Sequence, residues 1–267
     1  MVYWLDGLAE KGFFRPGENL LEFGPQSISA PDQLIKKIAN NRLHSKAPEA
    51  IKFFFKCHPM HRQKVLYAFL GFKQYHSIDL FDKSADFKYD LNYSYDPMSE
   101  CNYHLNYVRA PFEKYFAITS FGTSEHCFNV SASFKSAHNF VKVGGIMLFV
   151  LPAFGHITHG FFNIHPNLYI SLSKYNNYEI VDFRYVDNFG LRSKYMDGNV
   201  KINFDFDNLP ITLKDFEDDN DDINIRISEL FMKNYLASGG NHYVYDYCFV
   251  ALRKQTDQQF IYPQQYA

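Results

Sequence analysis

The chain contains 267 residues, and its 27 Lys and Arg against 29 Asp and Glu give a formal net charge of −2. A charge so close to zero carries no electrostatic signature of polyanion binding, so we expect no nucleic-acid partner. The longest apolar tract, residues 144–154, is too short to span a bilayer, and the N-terminus lacks the basic and apolar segments of a signal peptide. We therefore expect a cytoplasmic protein without a membrane partner.

Apolar periodicity and turn residues predict helices and strands in alternation. In the first part of the chain, the predicted elements are helix 3–14, strand 19–23, helices 31–41 and 61–72, and strands 75–80 and 87–91. They continue with strand 116–121, helix 124–141 capped by Ser124, strand 146–151 after two glycines, helix 166–175, and strands 178–185 and 243–252. This alternation predicts an α/β fold with a mostly parallel sheet covered on both faces.

We expect residues 1–267 to form a single domain, in which residues 1–16 carry an N-terminal helix. Two insertions are expected, one over residues 27–58 after the first strand and one over residues 188–240 before the last. The second insertion contains the acidic run 215–222, which lacks the ligand spacing of a calcium loop. We interpret that run as a solvated loop.

The ends of two predicted strands suggest a nucleoside site. The first strand ends in the acid-x-glycine sequence Glu22-Phe23-Gly24, and the second ends at Asp79. A glycine turn lets the backbone approach a ligand, and an acid on the next strand accepts hydrogen bonds from ribose hydroxyls. The pair therefore predicts an adenosine-containing cofactor. A nicotinamide dinucleotide is disfavoured, because the G-x-G-x-x-G turn that seats a pyrophosphate is absent.

Further segments continue this pattern in order along the chain. Residues 89–92 (YDLN) follow Asp79, residues 119–126 (TSFGTSEH) end the strand 116–121, and residues 142–145 (KVGG) precede the next strand. Together with Glu22-Phe23-Gly24, these segments resemble the motifs of class I S-adenosylmethionine-dependent methyltransferases. Residues 121–126 and 159–163 also resemble a subset of uncharacterised methyltransferase-like proteins from microbial and phage genomes.

The resemblance implies a Rossmann-like, mostly parallel seven-stranded sheet with helices on both faces and an antiparallel last strand. It implies S-adenosylmethionine as cofactor. No motif identifies the methyl acceptor, and we hypothesise a small-molecule or sugar hydroxyl. The residues that it assigns to cofactor binding are Glu22, Gly24, Asp79, Asp90, Leu91, Phe121, Gly122 and Thr123. The sequence departs from the family at residues 25–27 (PQS), which replace the usual glycines, and Pro25 has no N–H to offer a ligand. The alternative is therefore a non-catalytic binding or assembly protein with the same fold.

Histidines follow the predicted fourth and fifth strands, at the edge where ligands bind in open α/β sheets. His126 is the first candidate for a general base that deprotonates a hydroxyl acceptor, and His159 is the second. Either could instead be a structural histidine bonded to loop backbone. His156 and His159 could approach each other on a helix, but no nearby carboxylate completes a ligand set, and the cysteines (Cys57, Cys101, Cys127 and Cys248) form no C-x-x-C pair. We therefore predict no metal site, and the sequence does not indicate an oligomeric state.

Overall fold

A mostly parallel β-sheet organises the computed structural model, which describes residues 1–28, 30–95, 114–155, 159–187 and 246–264. The helices are α1 (Val2–Glu10), α2 (Asp32–Leu43), α3 (Ala47–Lys56), α4 (Arg62–Phe69), α5 (Val130–Phe140) and α6 (Pro166–Asn176). The strands are β1 (Asn19–Phe23), β2 (Gln74–Ile78), β3 (Tyr115–Phe121), β4 (Val141–Phe154), β5 (Tyr178–Asp187) and β6 (Asp246–Lys254). Most of these elements lie within a few residues of their predicted positions.

Within the described residues the sheet has six strands in the order β2-β1-β3-β4-β6-β5. Strands β1 to β4 pair in parallel, and β6 lies antiparallel to both β4 and β5. The predicted α/β fold with a reversed last strand is confirmed. The predicted strand 87–91 is reduced to one parallel bridge between Ile78 and Phe87, so the seventh strand of the prediction is a single pairing here.

Helices cover both faces of the sheet, as predicted. Successive strand residues point to opposite faces, so Leu20 packs in the core beneath helices α1 to α4 and Leu21 packs in the core beneath α5 and α6. Every residue of β1 and of β3 is buried. Consecutive Leu20 and Leu21 place an apolar side chain on each face of β1, as expected of a strand that is covered on both sides.

The region predicted as an insertion after β1 is largely helical. Residues 27–58 contain α2 and α3, joined by a 3₁₀ turn at His44–Lys46. Helix α2 packs against the sheet through buried Leu34, Ile35 and Ile38. Helix α1 lies on the same face, where the Trp4 indole donates a hydrogen bond of 2.6 Å to Asp182 of β5.

The segment around α5 departs from the prediction at both ends. Helix α5 begins at Val130 rather than at Ser124, because Ser124–His126 form a separate 3₁₀ turn that ends in extended backbone at Cys127. Strand β4 begins at Val141, so Gly144 and Gly145 lie inside the strand instead of preceding it. The β3–β4 register shifts at this point, which identifies an irregularity of the kind that glycine accommodates.

Some of the predictions made from the sequence concern residues that the structure does not describe. These are the insertion 188–240, its acidic run 215–222, residues 243–245 of the last strand, and Cys101. No helix among the described residues is both long and apolar enough to cross a membrane.

Gly145 is expected to be intolerant of any side chain. A Cβ at Gly145 would lie 2.6 Å from the Phe116 carbonyl oxygen, whereas a Cβ at Gly7 in α1 would meet no atom within 4 Å. We expect Gly145→Ala to lower the free energy of unfolding by about 1–3 kcal/mol through overpacking. Gly7→Ala should raise it by about 0.5–1 kcal/mol, because alanine favours the helix interior. Urea unfolding of both variants checks this pair, and equal effects would contradict the close approach at Gly145.

Candidate functional site

The strand order places a crevice between β1 and β3. From β1 the chain passes to β2 on one side, and β3 lies on the other side, so the topology reverses between these two strands. In open α/β sheets, ligands bind outside the carboxyl ends of the strands at such a reversal. The loops that leave β1 after Phe23 and β3 after Phe121 therefore border the expected site.

The two loops touch through Gly24 and Thr123. Thr123 Oγ1 donates a hydrogen bond of 2.7 Å to the Phe23 carbonyl. Gly24 has a φ of +68°, and a Cβ there would lie 2.3 Å from Thr123 Oγ1. Glycine is therefore required at this position both for its backbone conformation and for the contact with Thr123. The structure brings these two predicted cofactor residues together, with the threonine side chain against the glycine.

Glu22 lies beneath this loop, and its carboxylate is held inside the protein. Tyr67 and Tyr75 donate hydrogen bonds of 2.9 Å and 2.6 Å to its two oxygens, and the Gln26 backbone N–H approaches Oε2 at 3.4 Å. Burial raises the pKa of Glu22 to about 7, against the opposing effect of these hydrogen bonds. Its contacts within the protein are thus to the tyrosines and to the turn after β1. The tyrosines were missed in the sequence, because nothing in α4 or β2 marks them as partners of an acid.

Asp79 follows β2, and one of its two carboxylate oxygens accepts hydrogen bonds from the protein backbone. Its Oδ1 accepts backbone N–H groups of Phe81 and Asp82 at 2.7 Å and 2.8 Å, forming a turn. Its Oδ2 accepts no hydrogen bond from the part of the chain that the structure describes. The Gly24 N–H donates to the Ile78 carbonyl at 2.9 Å, which holds the end of β2 beside the loop after β1. Asp79 is half-buried there.

Asp90 and Leu91 belong to a turn that docks on the start of α5. Asp90 Oδ1 accepts hydrogen bonds from the Asn92 backbone and side chain at 2.9 Å and 2.8 Å. Asn92 in turn binds Asn129, the residue that precedes α5, through two hydrogen bonds. Leu91 is buried in the core beneath α5 and α6. This turn is linked to Asp79, since the Tyr89 N–H donates to the Asp79 carbonyl at 3.4 Å.

The loop after β3 is fixed by a chain of buried serine hydroxyls. Ser124 Oγ lies 2.7 Å from Ser120 Oγ and 2.6 Å from Ser133 Oγ, so it joins β3, the 3₁₀ turn and α5. Gly122 has a φ of +75° and donates its N–H to the Val150 carbonyl at 3.0 Å. The Phe121 side chain packs with Trp4 in the core beneath α1 to α4, so only its backbone borders the crevice.

The structure brings Glu125, His126 and His159 together at this edge, and we refer to them as the EHH cluster. His126 Nε2 lies 3.1 Å from His159 Nε2, and His159 Nε2 lies 3.5 Å from Glu125 Oε1. The Glu125 side chain is fully buried, and neither of its oxygens has a hydrogen-bond partner in the described part of the chain. Burial raises the pKa of Glu125 to about 7, and burial and the charge of His159 lower that of His126.

Two glycines allow the loops to close around Glu125. The Phe161 N–H donates to the Glu125 carbonyl at 2.8 Å, and Gly160 has a φ of +68°. A Cβ at Gly160 would lie 2.9 Å from Glu125 Cγ, and one at Gly122 would lie 3.5 Å from Glu125 Oε1. Sequence reasoning missed Glu125, because its partner His159 is 34 residues away. Gly122 and Gly160 were the available signal in the sequence, because glycines let loops pack closely against a side chain such as that of Glu125.

The other histidines of this edge have separate positions. His165 is exposed and caps α6, where its Nδ1 accepts the Asn167 N–H at 3.2 Å. His156, considered as a partner for His159, lies outside the described residues. Of the predicted base candidates, His126 and His159 thus contact each other.

Comparison with solved structures relates the chain to methyltransferases. It is similar to a candidate methyltransferase from Bacillus halodurans C-125, with 12% identity and a TM-score of 0.47 over 96% of this chain and 99% of that chain. Phosphoethanolamine N-methyltransferase 2 of Haemonchus contortus, in complex with S-adenosyl-L-methionine, aligns with 11% identity and a TM-score of 0.45 over 95% of this chain and 53% of that chain. An S-adenosylmethionine-dependent methyltransferase of Geobacter sulfurreducens, in complex with S-adenosyl-L-homocysteine, aligns with 12% identity and a TM-score of 0.40 over 94% and 90%.

These neighbours carry the name of the class that the sequence motifs resemble. No protein-family model and no curated protein matches the sequence. Because each of the three alignments has a TM-score below 0.5 and an identity of 11% or 12%, the likeness establishes neither activity nor substrate for this chain. The class of fold rests instead on the strand order, the strand directions and the helices on both faces of the sheet.

The buried position of Glu22 predicts a pH-dependent stability. Its pKa in the folded chain is about 7, whereas the usual pKa of a glutamate side chain is 4.5. Between these values the folded state keeps a proton that the unfolded state has lost, so the free energy of unfolding falls as pH rises. Glu22→Gln should remove this contribution, which amounts to about 2 kcal/mol between pH 5 and 8.

Urea unfolding of the wild type and Glu22→Gln at both pH values measures the effect. All other titrating groups are common to the two proteins, so the difference between their pH profiles isolates Glu22. Parallel profiles would contradict the raised pKa.

Proposed function

We propose that the protein is an S-adenosylmethionine-dependent methyltransferase that acts on a hydroxyl group of a small molecule or a sugar. The observation that carries this proposal is the convergence of two features at the reversal of strand order. There, the predicted cofactor residues after β1, β2 and β3 lie on connected loops, and the EHH cluster lies on the same edge. S-adenosylmethionine is the cofactor implied by the motif resemblance.

Several described residues are suited to hold this cofactor. Asp79 Oδ2 is an acceptor at the end of β2, where a ribose hydroxyl could donate to it. Asp90 and Leu91 would flank the adenine, and the backbone of Gly24, Gly122 and Thr123 would border the methionine portion. When bound, the cofactor supplies an electrophilic methyl group.

The EHH cluster offers a route for the acceptor's proton. Only one proton can lie between the facing Nε2 atoms of His126 and His159, so one nitrogen donates and the other accepts. A proton taken from a hydroxyl would go to the Nδ1 of the donating histidine, which carries no proton in that tautomer, and that ring would become an imidazolium. Glu125 Oε1, at 3.5 Å from His159 Nε2, would face the imidazolium that forms. This arrangement supports either histidine as general base and adds Glu125 as its positioning residue.

Asp79 provides the sharpest test of cofactor binding. Asp79→Asn keeps an oxygen for the turn with Phe81 and Asp82 but replaces the second carboxylate oxygen with an N–H donor. We expect it to weaken binding of S-adenosylmethionine and S-adenosylhomocysteine by about tenfold or more, since a ribose hydroxyl loses a charged acceptor. Isothermal titration calorimetry measures both affinities, and Asp32→Asn in the exposed first turn of α2 is the matched control. Absence of binding to the wild type at millimolar ligand would refute the cofactor proposal.

A non-catalytic protein of the same fold is the second candidate, and a specific observation favours it. The Thr123 side chain packs against Gly24, with its Oγ1 2.3 Å from the position that a Cβ would occupy, so less of the Gly24 backbone is open to a ligand. Pro25 also removes one N–H from the same loop. Under this alternative the contact between the loops after β1 and β3 has only a structural role, and the chain binds a partner without catalysing a reaction.

Substitutions of Thr123 separate the two candidates. If Thr123 helps to hold the cofactor, Thr123→Ala should weaken binding several-fold, while Thr123→Ser keeps the hydroxyl and should bind within about twofold of the wild type. If Thr123 blocks the loop, Thr123→Ala should bind more tightly than the wild type. Calorimetry distinguishes these outcomes. Formation of S-adenosylhomocysteine with a panel of hydroxyl compounds then tests for turnover.

A further inference from the structure

We propose that Glu125, His126 and His159 bind one divalent transition-metal ion of the type that imidazole prefers, such as Zn²⁺. One ligand atom from each residue lies within 4.8 Å of the other two. The three residues come from the turn after β3 and from the loop that precedes α6. The site is therefore created by tertiary contact, and no local sequence spacing marks it.

The distances between the ligand atoms suit a metal ion. The two Nε2 atoms are 3.1 Å apart, and His159 Nε2 is 3.5 Å from Glu125 Oε1. Two ligands that each lie about 2.0–2.1 Å from a tetrahedral ion are roughly 3.3 Å from each other. These two separations are therefore close to those of neighbouring positions around one ion. The two imidazoles meet in a T-shaped arrangement, with ring centroids 4.5 Å apart.

The Glu125 carboxylate gives an independent indication. It is fully buried, and both of its oxygens are without a hydrogen-bond partner among the described residues. Leaving an ionised carboxylate buried and unpaired costs several kcal/mol, and proteins offset such costs with hydrogen bonds, ion pairs or metal ions. Gly122 and Gly160 approach it from two sides, and the Phe161 N–H fixes its backbone. The surrounding loops are thus built to hold this carboxylate in place.

The ligand types and their exposure indicate the class of ion and of site. Two imidazoles and one carboxylate suit Zn²⁺ and neighbouring transition metals better than Mg²⁺ or Ca²⁺, which prefer oxygen ligands. His126 and His159 are exposed, in contrast to Glu125. Three ligands from the described part of the chain, two of them exposed, would leave one position of a tetrahedral ion for a further ligand, as in catalytic zinc sites.

The metal site stands independently of methyl transfer, and only its consequence rests on the proposed function. If that function holds, an acceptor hydroxyl at the open position would lose its proton to solvent water more easily, because a bound cation lowers the pKa of the hydroxyl. The two histidines would then act as ligands, and the metal would replace them in activating the acceptor.

Metal uptake by the full chain tests the proposal. Metal-free protein is dialysed against Zn²⁺ or Co²⁺, the bound metal is counted by elemental analysis, and the visible absorption of bound Co²⁺ reports its coordination. We expect one ion per chain. His126→Ala, His159→Ala and Glu125→Gln should each weaken binding by about tenfold or more, since loss of a supporting partner alone costs 10–100-fold. His165→Asn removes an exposed imidazole of the same sheet edge while keeping a good helix cap, so it should bind like the wild type.

The outcomes are distinguishable from those of the cofactor experiment. No uptake by the wild type, or equal uptake by His126→Ala and His159→Ala, would overturn the metal site. Circular dichroism shows whether each variant is folded, and the exposed position of His126 makes its alanine variant the safest of the set. Metal uptake without S-adenosylmethionine binding would leave the metal site intact and remove the proposed function. The reverse result would remove only the metal site.

Discussion

The hydrogen bond from Thr123 to the Phe23 carbonyl is the contact on which the candidate site depends. It joins the ends of β1 and β3, where the strand order reverses, and it requires glycine at position 24. Because Thr123 leads directly into the 3₁₀ turn, the same contact places Glu125 and His126 at the sheet edge. A hydrogen bond from the Gly24 N–H to the Ile78 carbonyl links the end of β2 to the same loop. These two hydrogen bonds thus connect the loops that follow β1, β2 and β3.

Sequence reasoning succeeded where local chemistry determines structure. Strand β1 was predicted at its observed bounds, because the apolar residues Leu20, Leu21 and Phe23 lie between a Pro-Gly turn and Gly24 in a segment too short for a helix. It was wrong at Ser124, which satisfies a cap pattern but forms buried hydrogen bonds to Ser120 and Ser133 instead. The prediction was also wrong at Gly144 and Gly145. Glycines can mark either the end of a helix or a close approach between strands, and here Gly145 approaches β3 closely.

The candidate site was less predictable than the fold, because its contacts join distant segments. Asp79 and His126 could be chosen from their places after strands, which follow from the order of elements alone. The contact between His126 and His159 could not be predicted, since 33 residues separate them and the close packing of their loops depends on Gly160. The two tyrosines on Glu22 are equally remote in sequence. Which acid has partners is a property of packing, and no pattern in one sequence encodes it.

The two buried glutamates illustrate how packing separates a structural acid from a functional candidate. Glu22 and Glu125 are both fully buried, and burial raises the pKa of each to about 7. Glu22 receives two tyrosine hydroxyls, so the interior of the protein stabilises it. Glu125 receives none and instead faces two exposed imidazoles. A buried carboxylate without hydrogen bonds destabilises a fold when it is ionised, so a positive charge beside it, on His159 or on a bound cation, would stabilise it. Glu125 therefore marks the chemistry of this edge more clearly than the motif acid Glu22 does.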